Sequence, residues 1–346
     1  MCSKIESKTT ETIVLPVIRQ LSDNLYSAVF ELMKLMPAKY IFDVAEKEGI
    51  LKKGGRVIES SSGTFGLALA MLCSERGYDL TLISDPVIDE PLRYRLEDLG
   101  AKIVIVTERS EKGGYQVSRL NKVYELMEKD PSVFWPRQYD NINNPGGYGP
   151  LAELLSGTVG KIDYLVGSVG SGGSTCGTAR FLKAVSPDIR LVGIDSINSV
   201  IFGRPDKKRH LRGLGGSIIP GNVDHKAYDE VHWVNGAEGF AATRMLHRAH
   251  QLYMGPTSGA SYMVAKWIAQ QNKDAKVACV FADTGYRYEL TVYSDKWLKE
   301  NNLYQEELPE GPENVNSPAE AGPGWSRLEW NNRTYEEVMG KPFKLE

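Results

Sequence analysis

Cysteine and histidine are scarce in this chain, and their scarcity is the first constraint on its chemistry. Four cysteines, at 2, 73, 176 and 279, lie far apart, with no C-x-x-C pair and no histidine at ligand spacing. Such scatter argues against a disulfide framework or a zinc centre and for reduced thiols in a cytoplasm. The five histidines, at 210, 225, 232, 247 and 250, form no metal-ligand group. His247 and His250 share a helix face, which is too little by itself, so no metal is expected. Charge of one sign is lacking too: 41 Lys and Arg against 44 Asp and Glu leave a net −3. That balance excludes a broad pull toward nucleic acid or an anionic membrane. Apolar runs are short, the stretch 66–72 falling well below a membrane span, and the opening Met1-Cys2-Ser3-Lys4-Ile5-Glu6 lacks the apolar core of a secretory signal. Neither G-x-x-x-x-G-K-[ST] nor a clean G-x-G-x-x-G occurs, which leaves ATP or a dinucleotide with little support.

What is present is a chain of 346 residues, 42% hydrophobic, long enough for two lobes with separate cores. From about residue 56 strand-like and helical segments alternate, the pattern of an α/β fold with parallel sheets wrapped by helices. Strands are expected at 56–59, 79–83, 102–106, 163–167, 190–195 and 276–281, and helices at 65–75, around Leu92, Leu96 and Leu99, and at 115–127. A Pro-, Asn- and Gly-rich stretch at 141–150 separates two such runs, so a cleft is expected between two lobes. Residues 29–36 read as an apolar helix. Residues 306–324, rich in Glu, Pro, Gly and Asn, read as a linker without its own core. Beyond them Trp325, Leu328 and Trp330 are apolar anchors that dock the tail on the body or on a second subunit.

Two loops carry chemistry. Gly170-Ser171-Gly172-Gly173-Ser174 follows a strand-like run and precedes a helix start. Its backbone N–H groups can converge on one anion, helped by the helix dipole, and glycine permits close approach. A phosphate monoester fits this turn. Cys176 beside it reads as a small buried residue. Ser61-Ser62-Gly63-Thr64-Phe65-Gly66 is the second loop, and its hydroxyls at a helix start suit either a carboxylate or plain N-cap chemistry. Two helix-start sites point to one partner bearing phosphate and another bearing carboxylate.

At this point the sequence resembles the fold-type II pyridoxal-phosphate enzymes of the cysteine synthase family, a two-lobed, tryptophan synthase β-like architecture. Residues 61–66 look like that family's T-S-G-N-T-G loop for the substrate carboxylate, and 170–174 like its G-T-G-G-T phosphate cup. Phe281-Ala282-Asp283-Thr284-Gly285-Tyr286-Arg287-Tyr288 looks like its P-S-S-G-E-R-Y segment. Order and spacing agree over roughly residues 12–300. Within the family the likeness is greatest to the siderophore-pathway branch that joins O-phosphoserine to glutamate. It is carried by Lys112-Gly113-Gly114-Tyr115, Ser199-Val200-Ile201-Phe202-Gly203 and residues 292–298.

The resemblance implies pyridoxal 5′-phosphate as cofactor and a lysine that holds it as a Schiff base and moves the Cα proton. Met33-Lys34-Leu35-Met36-Pro37-Ala38-Lys39-Tyr40 places Lys34 there, with Lys39 as competitor. It also implies cofactor contacts at Thr64, Gly170, Ser171, Gly172, Gly173, Ser174 and Thr284, the last facing the pyridine nitrogen, with Asp283 pointing away. Substrate contacts are implied at Ser61, Ser62, Gly63, Thr64, Phe65 and Gly213, and at Gln138, which reads equally as a polar loop residue. The basic run Lys207-Lys208-Arg209-His210, with Arg212 behind it, is a solvated face or meets a leaving phosphate or acidic acceptor. The sequence departs from the family pattern where Leu35-Met36 replaces Asp-Arg and where Thr64 replaces the usual Asn.

The organisation implied is residues 1–39 joining the large lobe, 40–148 a small lobe, 149–305 a large cofactor-binding lobe, and 306–346 a linker and docking tail. The activity implied is β-replacement on O-phosphoserine or O-acetylserine through an aminoacrylate, giving cysteine or a diaminopropionate-like amino acid. Serine or threonine deamination, or a silent cofactor-binding regulator, are the alternatives. Small amino-acid substrates and a homodimer are the expected partners.

Overall fold

The protein, represented by a computed structural model, is described over residues 8–344; Cys2 and the opening hexapeptide lie outside them. The chain begins with α1 (Thr9–Thr12), a hairpin of β1 (Val17–Gln20) and β2 (Leu25–Val29), and α2 (Leu35–Lys47). Next come β3 (Arg56–Ser60), α3 (Thr64–Arg76), β4 (Asp79–Ser84), α4 (Glu90–Asp98), β5 (Lys102–Ile105) and α5 (Gly114–Lys129). α6 (Asn143–Gly146) and α7 (Gly149–Val159) lead to β6 (Tyr164–Ser168), α8 (Gly173–Leu182), β7 (Arg190–Ser196) and β8 (Glu230–Val234). α9 (Gly236–His250), α10 (Pro256–Gln271), β9 (Val277–Phe281) and α11 (Asp295–Glu300) follow. The tail carries β10 (Glu313–Asn314), β11 (Ser326–Glu329) and α12 (Tyr335–Met339).

The described strands form two sheets, a small parallel one ordered β3-β4-β5 and a large one ordered β1-β2-β9-β6-β7-β8-β11-β10. The centre of the large sheet is parallel, and consecutive residues on each strand enter opposite cores. Leu165, Leu191 and Ala278 face one apolar cluster, while Val166, Val192 and Cys279 face the other. Burial on both faces explains the unbroken apolar runs that mark these strands in sequence. The small lobe has its own core, built on Phe42, Leu69, Leu72 and Leu82.

Two expectations are corrected. The large sheet is mixed, because β1 runs antiparallel to β2 and β11 antiparallel to β8. Residues 29–36 are not an apolar helix: β2 stays extended because it pairs in parallel with β9, from Leu25 opposite Val277 to Val29 opposite Phe281, and the helix begins only at Leu35. Beyond residues 306–324, β11 adds to the large sheet and Trp325, Leu328 and Trp330 insert into its two cores. The tail docks on the body of its own chain.

Candidate active site

The β2–β9 register carries the early lysine to the centre of the large lobe. Past the paired strands, Phe30 N–H donates to the Phe281 carbonyl (2.9 Å) and Met33 N–H to the Ala282 carbonyl (2.8 Å). Lys34 follows as the N-cap of α2 and lines a small, narrow cleft. Gly170, Ser171, Ser174 and Gly213 line the same cleft, as do Ser168, Thr257 and Ala282. Five of the expected residues therefore meet at one place. Lys39 does not; it lies on α2 and pairs with Asp43 (2.9 Å) and Glu11 (3.4 Å).

The ammonium of Lys34 makes no hydrogen bond or ion pair among the described residues, and burial pushes its pKa from the ordinary 10.5 down to about 8. The Asp283 carboxylate opposes that fall through its charge. Asp283 is itself buried, which raises its pKa, while Arg287 and the Tyr288 hydroxyl, donating at 2.8 Å, hold it down. Asp283 is not among the residues lining the cleft, yet its charge acts on Lys34. Arg287 in turn pairs with Asp89 at the start of α4, and Arg212 donates to the Val87 carbonyl, so both large-lobe cations fasten the small lobe across the cleft.

The phosphate turn is shaped by close approach. A Cβ on Gly170 would lie 2.8 Å from the Gly213 carbonyl, and one on Gly172, at φ +82°, 2.7 Å from the Asn222 carbonyl. On Gly173, the first residue of α8, it would collide with the Asn144 side chain. Asn144 donates to the Gln138 carbonyl (2.6 Å) and the Ser171 hydroxyl (3.4 Å), but its Oδ1 is buried without a partner. Asp195, pushed up to about 7 by burial, accepts from Ser196 N–H (2.7 Å) and abuts Gly215 in the segment that presents Gly213.

The serine loop sits apart from this cleft, in the small lobe. The Ser61 hydroxyl accepts from Gly63 N–H (3.3 Å) and Gly66 N–H (3.0 Å), so it acts as a helix cap. Phe65 is a core residue of the small lobe. Ser62 accepts from Arg119 (2.8 Å), whose guanidinium forms a buried pair with Asp85 (3.0 Å). Sequence reasoning missed Arg119, since a charged residue sharing a helix face with Val123 carries no local sign of its partner. Thr64 opens α3 directly after Gly63. The Gln138 side-chain amide is engaged with the Ser60 carbonyl (2.7 Å), and its backbone N–H with Glu59 (3.1 Å), a carboxyl pushed up to about 7 by burial. Thr284 is tied by its backbone, donating to the Glu31 carbonyl (3.3 Å) and bridging to Met254, and it is not among the residues lining the cleft. Arg209 of the basic run is not a solvated charge either, since it donates to Ser217 (2.7 Å) and pairs with Asp206 (2.7 Å).

These residues fit a phosphorylated aldehyde. A glycine cradle and two serines lie at the N-terminus of α8, the buried amine stands across the cleft, and polar atoms without partners remain at Asn144 and Thr257. The comparisons agree. The family model for pyridoxal-phosphate-dependent enzymes matches residues 33–283. The chain is 34% identical to N-(2-amino-2-carboxyethyl)-L-glutamate synthase of Cupriavidus metallidurans over 272 residues, 77% of this chain and 80% of that protein. Its fold matches the O-acetylserine-dependent cystathionine β-synthase of Helicobacter pylori with a TM-score of 0.78 at 25% identity, over 84% of this chain and 100% of the other. A hydrogen sulfide-producing enzyme of Fusobacterium nucleatum shares the fold at TM-score 0.76 and 24% identity, over 82% of this chain and 100% of the other. The chain belongs to the pyridoxal-phosphate-dependent enzymes, in their cysteine synthase-like, fold-type II branch.

Proposed function

We propose that the protein performs β-replacement on an O-activated L-serine, O-phosphoserine first and O-acetylserine second, adding a small nucleophile to the β carbon to give cysteine or a diaminopropionate-like amino acid. The single observation behind this reading is the buried, partnerless Lys34 amine facing the glycine turn across one cleft. The product named for the Cupriavidus relative and the donor named for the Helicobacter one support it.

When bound, the cofactor supplies an electron sink for the charge left on the substrate α carbon. The protein's part is to hold, orient and move protons. Lys34 anchors the aldehyde carbon and serves as base at Cα, and its lowered pKa leaves about a tenth of the amine neutral at pH 7. Ser171 and Ser174, with the dipole of α8 and the bare backbone of Gly170, Gly172 and Gly173, take the phosphate. Ser62, Gly63 and Thr64 at the start of α3 offer donors to the substrate carboxylate, with Arg119 supplying positive charge behind Ser62. Because that loop belongs to the small lobe, closing the cleft brings it toward Lys34 and excludes water. The reading carries a cytoplasmic homodimer with it; light scattering on the purified protein checks the dimer.

The test is to mix the purified, cofactor-loaded protein with each donor, with and without sulfide or glutamate. Expected are a donor-dependent change in the visible absorbance band, release of phosphate or acetate, and a new amino acid by mass spectrometry only when a nucleophile is present. Pyruvate and ammonia formed regardless of nucleophile would instead mark a deaminase. A band unmoved by both donors would end the proposal.

A further inference from the structure

We propose that Glu59 is a positioning residue: its carboxylate clamps the serine loop of the small lobe to the crossover segment leading to the glycine turn. One connected frame then grips both the substrate carboxylate and the cofactor phosphate. This rests on the β-replacement reading and deepens it with a residue that does not itself line the cleft.

Glu59 is the penultimate residue of β3 and is fully buried. A charge taken out of water is costly unless several donors meet it. Three do, and they come from two segments of the chain. Oε1 accepts from Ser60 N–H (2.8 Å) and from the Trp135 indole N–H (3.0 Å), while Oε2 accepts from Gln138 N–H (3.1 Å). Gln138 returns the bond, its side-chain amide donating to the Ser60 carbonyl (2.7 Å). Reciprocal bonds thus fix the residue just before the serine loop to the segment 135–138.

The clamp sits where backbone pairing with β3 ends. Ile58 N–H still donates to the Phe134 carbonyl (2.9 Å), and Phe134 N–H to the Arg56 carbonyl (2.8 Å). Arg137 then adopts a left-handed conformation, φ +56°, which is uncommon for any residue but glycine. Such a conformation persists only where the surroundings over-determine it. Glu59 grips the chain on both sides of it, at Trp135 and at Gln138. Beyond Gln138 the frame reaches the large lobe. The Gln138 carbonyl accepts from the side chains of Asn144 (2.6 Å) and Asn222 (3.1 Å). Asn144 continues to the Ser171 hydroxyl (3.4 Å) and abuts Gly173, and the Asn222 carbonyl abuts Gly172. An unbroken series of contacts therefore runs from Ser60 through Glu59, Gln138 and two asparagines to the glycine turn. Releasing Gln138 loosens both ends.

The experiment compares wild type, Glu59→Gln, Asn144→Ala and the double variant, each loaded with pyridoxal phosphate and checked for folding by circular dichroism. Glutamine keeps the length of the side chain, but its NH2 must face an N–H donor. Either the bond to Gln138 or the pair at Ser60 and Trp135 is therefore lost. O-phosphoserine, then O-acetylserine, is titrated against the visible absorbance band by stopped flow. Expected in Glu59→Gln is an apparent donor affinity about tenfold weaker, with a limiting rate within about twofold of wild type. Cofactor retention on dialysis should fall in Glu59→Gln and in Asn144→Ala, and no further in the double variant than in the more affected single one. Unchanged donor affinity with only a lower urea midpoint would make Glu59 a plain core contact and overturn the proposal. So would a limiting rate that falls as far as the affinity, or retention losses that add. Glu59→Asp withdraws the carboxylate by one methylene from Gln138 and decides by the same criteria if Glu59→Gln does not fold. If neither donor moves the wild-type band, the β-replacement reading ends, and cofactor retention in the single and double variants decides on Glu59 by itself.

Discussion

Replacing Lys34 by methionine should make the cofactor-free protein more stable at neutral pH, although it removes the group on which activity depends. In the folded protein the amine is held near 8, against 10.5 when ordinary. Below pH 8 both the folded and unfolded chains carry the proton, and the fold bears the full cost of burying the charge. At 1.36 kcal/mol per pKa unit, and allowing for a side chain that still reaches some solvent, that cost is about 2–3 kcal/mol. As pH rises from 8 to 10.5 the unfolded chain holds the proton more tightly than the folded one, so stability climbs and the cost disappears. Lys34→Met keeps the length of the side chain and removes the charge. Urea denaturation of wild type and variant at pH 7, 8, 9 and 10 should show a gain of about 2–3 kcal/mol at pH 7 that shrinks steadily toward pH 10. A variant less stable than wild type at pH 7, or two parallel pH profiles, would refute the claim that this amine is buried without a counter-charge strong enough to hold it.

Gly173→Ala drives a Cβ into the Asn144 side chain and should destabilise the protein by about 1–3 kcal/mol while loosening its grip on the cofactor phosphate; a variant with unchanged denaturation and unchanged retention on dialysis contradicts this. Trp330→Ala removes a fully buried indole packed on Phe202 (centroids 5.1 Å apart) and should cost about 3–5 kcal/mol in chemical denaturation; a loss below about 1 kcal/mol would mean that the tail is not part of the cooperative fold.

The legible part of the fold is the part with local signals. From β3 to α5 the sequence places each element within a residue or two, because apolar strands, helical leucines and glycine or capping punctuation are all written nearby. Strand β8 escapes notice because Glu-Val-His-Trp-Val places two ionisable groups in a core. They pair with each other and with residues almost a hundred positions away. His232 Nε2–H donates to Glu230 (2.7 Å), Trp325 Nε1–H donates to His232 Nδ1 (2.9 Å), and Arg327 pairs with Glu230 (2.6 Å). The hairpin β1–β2 is hidden for a related reason, since what marks 25–29 as a strand is its pairing with β9, some 250 residues away. Within the site, Lys34 and the glycine turn could be named by resemblance, and Ser61 could be read equally as a cap, the role its hydrogen bonds assign. Thr257 and Arg119 could not be found at all, because what singles them out is a missing partner in one case and a distant partner in the other.

The antiparallel seam between β8 and β11 has a consequence for biosynthesis. While the chain is still emerging from a ribosome, one flank of β8 offers bare N–H and C=O groups until residues 326–329 arrive to cover it, some ninety positions later. Up to that moment the nascent protein carries an adhesive border, open to pairing with a neighbouring copy. Any genetic fusion or clipped ending that delays or deletes those four residues should therefore favour inclusion bodies over soluble product.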